Sequence, residues 1–323
     1  MSTVLSVDVE RIEDGEVIST SVFQSDFWAK VKSSQWASFS FAYSFSSGKR
    51  GSFLCLVRRF FHLFSLAYVP FGPGILDRDE LMLLSENVRR YLPKSVFLIR
   101  YDLPWGVERI DCSGRLRRAF ESVQPEGTVR IDLSISPEYR SRAVRNLRRE
   151  EDVTVSLWKG DEESLQLWYE TYLETGRRDG FSTRSLSYIR SLLSLKGYSV
   201  EPRLYIAYYG KKVCGGILNL RNGSEEVYLF GSSISRHGNI SCGYRLQDYA
   251  IKDARSAGVG EYDLFGIPGR EGGEHLSSLK LFKTSFGGEC VYRERSIDYL
   301  YNAPLSYLYR LLEGARYLLC RRH

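Results

Sequence analysis

Histidine is scarce in this chain: there are four among 323 residues, at positions 62, 237, 275 and 323, and none forms an H-E-x-x-H arrangement. Zinc-dependent hydrolysis of that kind is excluded, and no metal site is expected. The six cysteines, at 55, 112, 214, 242, 290 and 320, contain no C-x-x-C pair. Their wide spacing argues against a zinc ribbon or a thioredoxin-type motif and suits reduced thiols in the cytosol. A Gly-x-Ser-x-Gly elbow, a P-loop, a Rossmann fingerprint and a plausible Ser/His/Asp set are also missing. Their absence removes serine hydrolases, P-loop NTPases and dinucleotide enzymes from consideration.

Long apolar runs are lacking too. The most apolar tract, Phe53 to Phe71, is broken by Arg58, Arg59 and His62 and cannot span a membrane. The opening residues, Met1 to Arg11, show neither the basic nor the apolar region of a secretory signal, so a cytoplasmic location is expected. There is no low-complexity tract and no sustained heptad run.

What the chain does have is globular: 43% hydrophobic and 26% charged residues, enough for a large core or two domains. The net charge of +6, with a pI near 8.9, favours a polyanionic partner without demanding one. Gln24 to Lys32 reads as a short amphipathic helix. Phe39–Phe45 and Gly51–Arg58 alternate around Ser-Ser-Gly-Lys-Arg-Gly as a hairpin. Leu66 to Gly74 is a strand stopped by a Pro/Gly turn, Asp79 to Tyr91 a helix, and Val96 to Tyr101 a buried strand. At Gln124-Pro-Glu-Gly-Thr128 the chain looks divided, and the same grammar restarts: strand 129–133, helix 137–149, strand 153–157, helices 161–175 and 185–195, and strands 203–209 and 213–221. A strand through Tyr228-Leu-Phe-Gly231, a helix from Tyr244 to Gly258, a strand at Tyr262-Asp263 and a basic loop at Leu281 to Gly288 follow. Strand, helix, strand and basic loop in that order is the build of an acetyltransferase-type acyltransferase. Pro304 to Arg322 closes the chain as a helix.

Five constellations could carry chemistry. Ser235 to Gly243 lies where acetyltransferases cradle a pyrophosphate, but its glycines, Gly238 and Gly243, are five positions apart. That argues against acetyl-CoA and leaves an ordinary turn as the alternative. Phe282-Lys283-Thr-Ser-Phe286-Gly287-Gly288 fixes a lysine among aromatics and a glycine turn. Such a lysine can stabilise an oxyanion, or it is simply a surface lysine before a strand. Arg142, Arg145 and Arg149 share one helical face that suits a phosphate backbone, or is a solvated face offset by Glu150, Glu151 and Asp152. Asp102, after Arg100-Tyr101, can polarise an amine or cap a strand. The last helix puts Leu305, Leu308, Leu311, Leu312, Ala315, Leu318 and Leu319 on one side, near Arg316, Arg321 and Arg322. It either packs on the body or touches the inner membrane face.

Taken together the chain resembles the Fem-type peptidoglycan aminoacyltransferases, the FemABX family. The likeness rests on Gln24…Trp28…Lys32, Tyr68-x-Pro70-x-Gly72-Pro73, Gln124-Pro125-x-x-Thr128, Asp132-Leu133 and Arg142-x-x-Arg145. It continues through Thr175-x-x-Arg178-Asp-Gly-Phe181, Gly210-Lys-x-Val-x-Gly215-Gly, Tyr228-x-x-Gly231-Ser, Leu246-Gln247, Gly258, Tyr262-Asp263-x-x-Gly266 and Phe282-Lys283-x-x-Phe286-Gly287. The resemblance implies an α/β fold of two tandem GNAT-like domains, mixed sheets flanked by helices, without a coiled-coil arm. The domains would be 1–126 with 296–323, on the precursor side, and 127–295, on the tRNA side. It implies transfer of an aminoacyl group from charged tRNA to a peptidoglycan precursor, a UDP-MurNAc-peptide or its lipid-linked form, with no cofactor beyond aminoacyl-tRNA as co-substrate. By position, Lys32 with Arg177 or Arg178 would hold precursor phosphates. Tyr228 and Tyr101 would line the acceptor side, and Phe282, Lys283 and Asp102 would act at the reacting ester. Arg142, Arg145 and Arg149 would meet tRNA. Other readings remain: a CoA-dependent acyltransferase, an aminoacyl-tRNA–protein transferase, or a catalytically silent scaffold.

Overall fold

The computed structural model describes residues 5–60, 63–74, 76–107, 109–234, 242–270 and 277–320. They fall into two units, Met1–Glu126 with Tyr292–His323, and Gly127–Val291.

The first unit holds, numbered along the chain, β1 (Val7–Ile12), α1 (Asp26–Lys32), β2 (Ala37–Phe45), β3 (Arg50–Phe60), β4 (Phe64–Val69), α2 (Arg78–Val88), β5 (Val96–Tyr101) and β6 (Leu116–Arg118). After the second unit it is completed by β14 (Ile297–Leu300) and α8 (Ala303–Cys320). The sheet order is β1-β2-β3-β4-β5-β14-β6, antiparallel except for β4 and β5. Parallel neighbours cannot be joined by a tight turn, and α2 supplies the crossover. Asp77 and Glu80 form a capping box at its start, and Leu81, Leu84 and Val88 face the core.

The second unit runs β7 (Gly127–Asp132), α3 (Ser141–Arg149), β8 (Val153–Leu157), α4 (Glu162–Asp179), α5 (Leu186–Ser194), β9 (Glu201–Tyr209), β10 (Lys212–Arg221), β11 (Glu225–Ser233), α6 (Gly243–Ser256), β12 (Glu261–Asp263), α7 (Ser277–Thr284) and β13 (Glu289–Tyr292). Its sheet order is β13-β7-β12-β11-β10-β9-β8. Here too a parallel pair occurs, β11 and β12, and α6 is its crossover. Both units are therefore mixed sheets with flanking helices. Among the described residues no helix exceeds the 18 residues of α4 and α8, and none builds a coiled-coil arm.

Two expectations fail here. Residues 281–284 are the end of helix α7, not a loop. The last helix does not turn Leu308, Leu311 and Leu312 to the body. Arg100, buried on β5, is held by Asp298 at 2.6 and 2.9 Å and by Glu313 of α8 at 2.7 and 3.0 Å. Ser306 Oγ donates to the Phe97 carbonyl at 3.2 Å, and Arg310 donates to the Arg118 carbonyl. These contacts satisfy the buried Arg100 guanidinium with two carboxylates, and α8 packs with its polar side inward.

Candidate active site

The turn after β12 is built around Asp263. Its buried carboxylate accepts hydrogen bonds from Thr128 Oγ1 and from the Phe265 N–H, the latter at 2.7 Å. The turn is pinned to β7 by Leu264 N–H to the Val129 carbonyl, 2.9 Å, and Ile267 N–H to the Gly127 carbonyl, 2.8 Å. Within it Phe265 and Gly266 are both left-handed, at φ 49° and 63°. That conformation suits glycine but costs a phenylalanine about 1 kcal/mol or more, and such outliers gather at functional sites. Two consecutive left-handed residues point successive carbonyls the same way.

Lys283 fills the cage so formed. Its Nζ donates to the Phe265 carbonyl and, at 2.8 Å, to the Gly266 carbonyl, and it stands 5.5 Å from the centre of the Tyr228 ring. The side chain is buried in the last turn of α7, where the helix C-terminus favours a cation. Burial nevertheless pulls its pKa down to about 7, with the nearby Asp263 carboxylate opposing the fall. The lysine so exchanges ammonium for amine near neutrality, as a proton-transfer group requires. A surface lysine before a strand is not what the structure contains.

Tyr228 reaches this position because β11 bulges against β10: Leu218 faces Phe230 while Asn219 faces Tyr228. Its ring folds back over Gly231, where a Cβ would collide with the hydroxyl and lie 2.7 Å from Cζ. Burial raises the Tyr228 hydroxyl above the ordinary tyrosine pKa, so it stays protonated. Gly231→Ala is expected to cost about 1–3 kcal/mol by overpacking. A thermal melt of Gly231→Ala with Tyr228→Ala should recover part of that loss, because the collision partner is gone; equal losses in both variants would refute the clash.

Phe282 joins this centre to the arginine face. It meets Tyr244 edge-on at 5.0 Å and Phe286 at 5.4 Å, and Tyr244 accepts a hydrogen bond from Arg142 Nε at 3.0 Å. Tyr244 thus couples α6, α7 and α3, a role no sequence signal assigned to it beyond its place at the start of a helix. Arg145 and Arg149 are exposed on α3, and no carboxylate among the described residues pairs with either of them or with Arg142. Glu150 does not offset this face: it is buried and accepts the Arg245 N–H at 2.8 Å.

The other sequence candidates fare unequally. Arg178 is engaged by Asp179 at 2.7 and 2.8 Å and donates to the Ser233 carbonyl at 2.7 Å, tying α4 to the end of β11. Arg177 is exposed beside it. Lys32, in the first unit, lies half-buried with Nζ 4.4 Å from the Trp28 ring centre. Tyr101 and Asp102 must be withdrawn as substrate-facing groups. Tyr101 is wholly buried, its hydroxyl 2.8 Å from Ser85 Oγ. Asp102, equally buried, takes Tyr68 Oη at 2.6 Å, the Gln124 N–H at 3.1 Å, Ser296 Oγ and Arg293 Nη1 at 3.0 Å. With all its acceptor sites filled, Asp102 ties the segment leaving the first unit to the segment returning to it. The glycine loop from Ser235 to Ser241 and all four histidines lie outside the described residues, as do Arg321 and Arg322.

Comparison with known proteins gives this geometry its setting. Residues 139–275 match the sequence model of the acetyltransferase (GNAT) domain. No curated protein sequence matches the chain. Among solved structures, FemX superposes with a TM-score of 0.72 at 16% identity, covering 94% of this chain and 100% of that one. A conserved protein of unknown function from Bacteroides thetaiotaomicron gives a TM-score of 0.50 at 12% identity, over 91% of this chain and 99% of that one. The fold is the one the FemABX resemblance implies: the chain is a mixed α/β protein with the fold of FemX, and its residues 139–275 are similar to the acetyltransferase (GNAT) model.

Proposed function

We propose that the protein is a tRNA-dependent aminoacyltransferase acting on the stem peptide of a peptidoglycan precursor. The observation that carries the proposal is Lys283: a buried amine with a pKa near 7, caged by two carbonyls, beside Tyr228 and linked through Phe282 and Tyr244 to Arg142. The GNAT fold and the FemX likeness support acyl transfer in general. The finer assignment rests on the residue pattern shared with FemABX proteins and on a basic face suited to a nucleic acid.

An aminoacyl ester is already activated, so the protein needs no nucleophile of its own. The acceptor amine attacks the ester carbonyl, an N–C bond forms, and the tetrahedral oxyanion collapses with loss of the ribose hydroxyl. The proton shed by nitrogen ends on that leaving oxygen. In this reading Lys283 holds the oxyanion as ammonium and relays this proton. By the FemABX resemblance, the roles of Lys32 and of Arg177 or Arg178 are to hold precursor phosphates.

The test is to incubate the protein with bulk tRNA charged with labelled amino acids and a panel of UDP-MurNAc-peptides, then lipid-linked precursors, and weigh the products. A precursor heavier by one amino-acid residue establishes reaction, donor and acceptor together. No such product with either acceptor class would reject the reading. Arg142→Glu with Arg145→Glu should raise the KM for aminoacyl-tRNA and lower the slope of log KM against log salt by about 1.5 to 2. An unchanged slope would return both arginines to solvated surface. The match to an acetyltransferase model favours one second reading, a CoA-dependent acyltransferase. Tight acetyl-CoA binding in a calorimetric titration would select it.

A further inference from the structure

From Pro304 to Ala315 the outward face of α8 is apolar. Pro304, Tyr307, Leu308, Leu311, Leu312 and Ala315 all lie exposed at the spacing of one helical stripe. Tyr307 is 47% exposed, Leu308 53%, Leu311 72% and Leu312 60%, values that loose packing does not explain. The inward face holds the polar groups instead: Ser306, Arg310 and Glu313 are all engaged by the first unit. The helix is amphipathic with the usual polarity reversed, and among the described residues its apolar side stays uncovered.

The patch extends beyond the helix. The Phe60 ring is 6.4 Å from the Tyr309 ring, and Phe64 is the cross-strand partner of Phe60. Directly opposed residues project on the same side of a sheet, so Phe64 sits beside α8, with exposed Leu63 next to it. Two exposed arginines border this surface. Arg316 is exposed at the end of the stripe, Arg59 is exposed near the hairpin tip, and the carboxylate of Glu313 is turned inward onto Arg100.

We propose that this face seats the protein on an anionic lipid bilayer, α8 lying in the interface with its leucines among the acyl chains and its arginines at the phosphates. Apolar residues with a flanking tyrosine and basic groups are what an interfacial helix presents. A second copy is the competing occupant. The two arginines would oppose their own copies in a symmetric dimer. This attachment goes beyond acyl transfer and does not depend on it.

Vesicle flotation tests it. The protein should float with vesicles containing phosphatidylglycerol at least tenfold more than with pure phosphatidylcholine, and salt should weaken the association. Leu308→Gln, Leu311→Gln and Leu312→Gln together should abolish flotation with an unchanged circular dichroism melt, and Arg316→Glu alone should reduce it on anionic vesicles. Because each position is exposed, the variants should fold. Any one of three results would overturn the proposal: no flotation of the parent protein at low salt, undiminished flotation of the triple variant, or a parent dimer in sedimentation equilibrium that the triple substitution splits while vesicles bind neither form.

Discussion

Lys283→Met is expected to lower turnover at saturating substrates by about 10²- to 10³-fold, the range seen when a single transition-state donor is removed. KM should change little, because the contact matters when charge develops on the ester oxygen and not before. Methionine keeps the bulk and the packing in the last turn of α7 but leaves the Phe265 and Gly266 carbonyls without their donor. The pH profile gives an independent reading. In the folded protein the Lys283 pKa is near 7, against an ordinary 10.5. Between those values the unfolded chain binds one more proton than the folded one, so stability rises with pH across this window, by at most about 1.4 kcal/mol per pH unit. Below about pH 7 both states are protonated and this contribution is flat. Denaturation midpoints measured from pH 6 to 10 should show the rise in the parent and lose it in Lys283→Met. Near-normal turnover of the methionine variant would remove Lys283 from the chemistry, whatever the stability curve did.

Arg293→Ala is expected to destabilise the first unit by about 3–5 kcal/mol, the loss typical when one partner of a buried ion pair is deleted. Neither Arg293 nor Asp102 has side-chain surface exposed. Arg293 also donates to the carbonyls of Gln124 at 2.5 Å, Pro125 at 2.8 Å and Glu294 at 3.2 Å, so its removal strands four acceptors at once. Asp102→Asn with Arg293→Met should recover part of the loss, since it leaves no naked charge. Chemical denaturation of the three variants makes the comparison. If Arg293→Ala cost no more than an ordinary surface change, the idea that this pair ties the outgoing and returning segments together would fail.

Much of this could be read from the residues. The strands at Val96–Tyr101, Val153–Leu157 and Lys212–Arg221 are visible because apolar runs between Pro/Gly turns admit few other structures, and α2 is visible in its cap and period. Lys283 stood out through its aromatic and glycine neighbours. The cage around it did not, because the left-handed turn at Phe265 is a tertiary choice: β7 holds both ends of the turn, and nothing local in Leu264-Phe265 asks for it. Asp102 misled for a related reason. A carboxylate after a buried strand looks the same in sequence whether it meets a substrate or an arginine 191 positions away. The reversed polarity of α8 was equally hidden, since periodicity reveals that a helix has an apolar side and not which way that side turns.

The position of β14 has a consequence for synthesis. It lies between β5 and β6 in the first sheet, yet β5 and β6 leave the ribosome long before residues 297–300 are made. Until then β6 has no strand beside it and β5 carries an open edge, while every strand of the other sheet has emerged by Tyr292. The order of completion is thus the reverse of the order of translation. A nascent chain halted between the two points would carry one closed sheet and one interrupted sheet, with the unpaired edge of β5 open to any strand that met it.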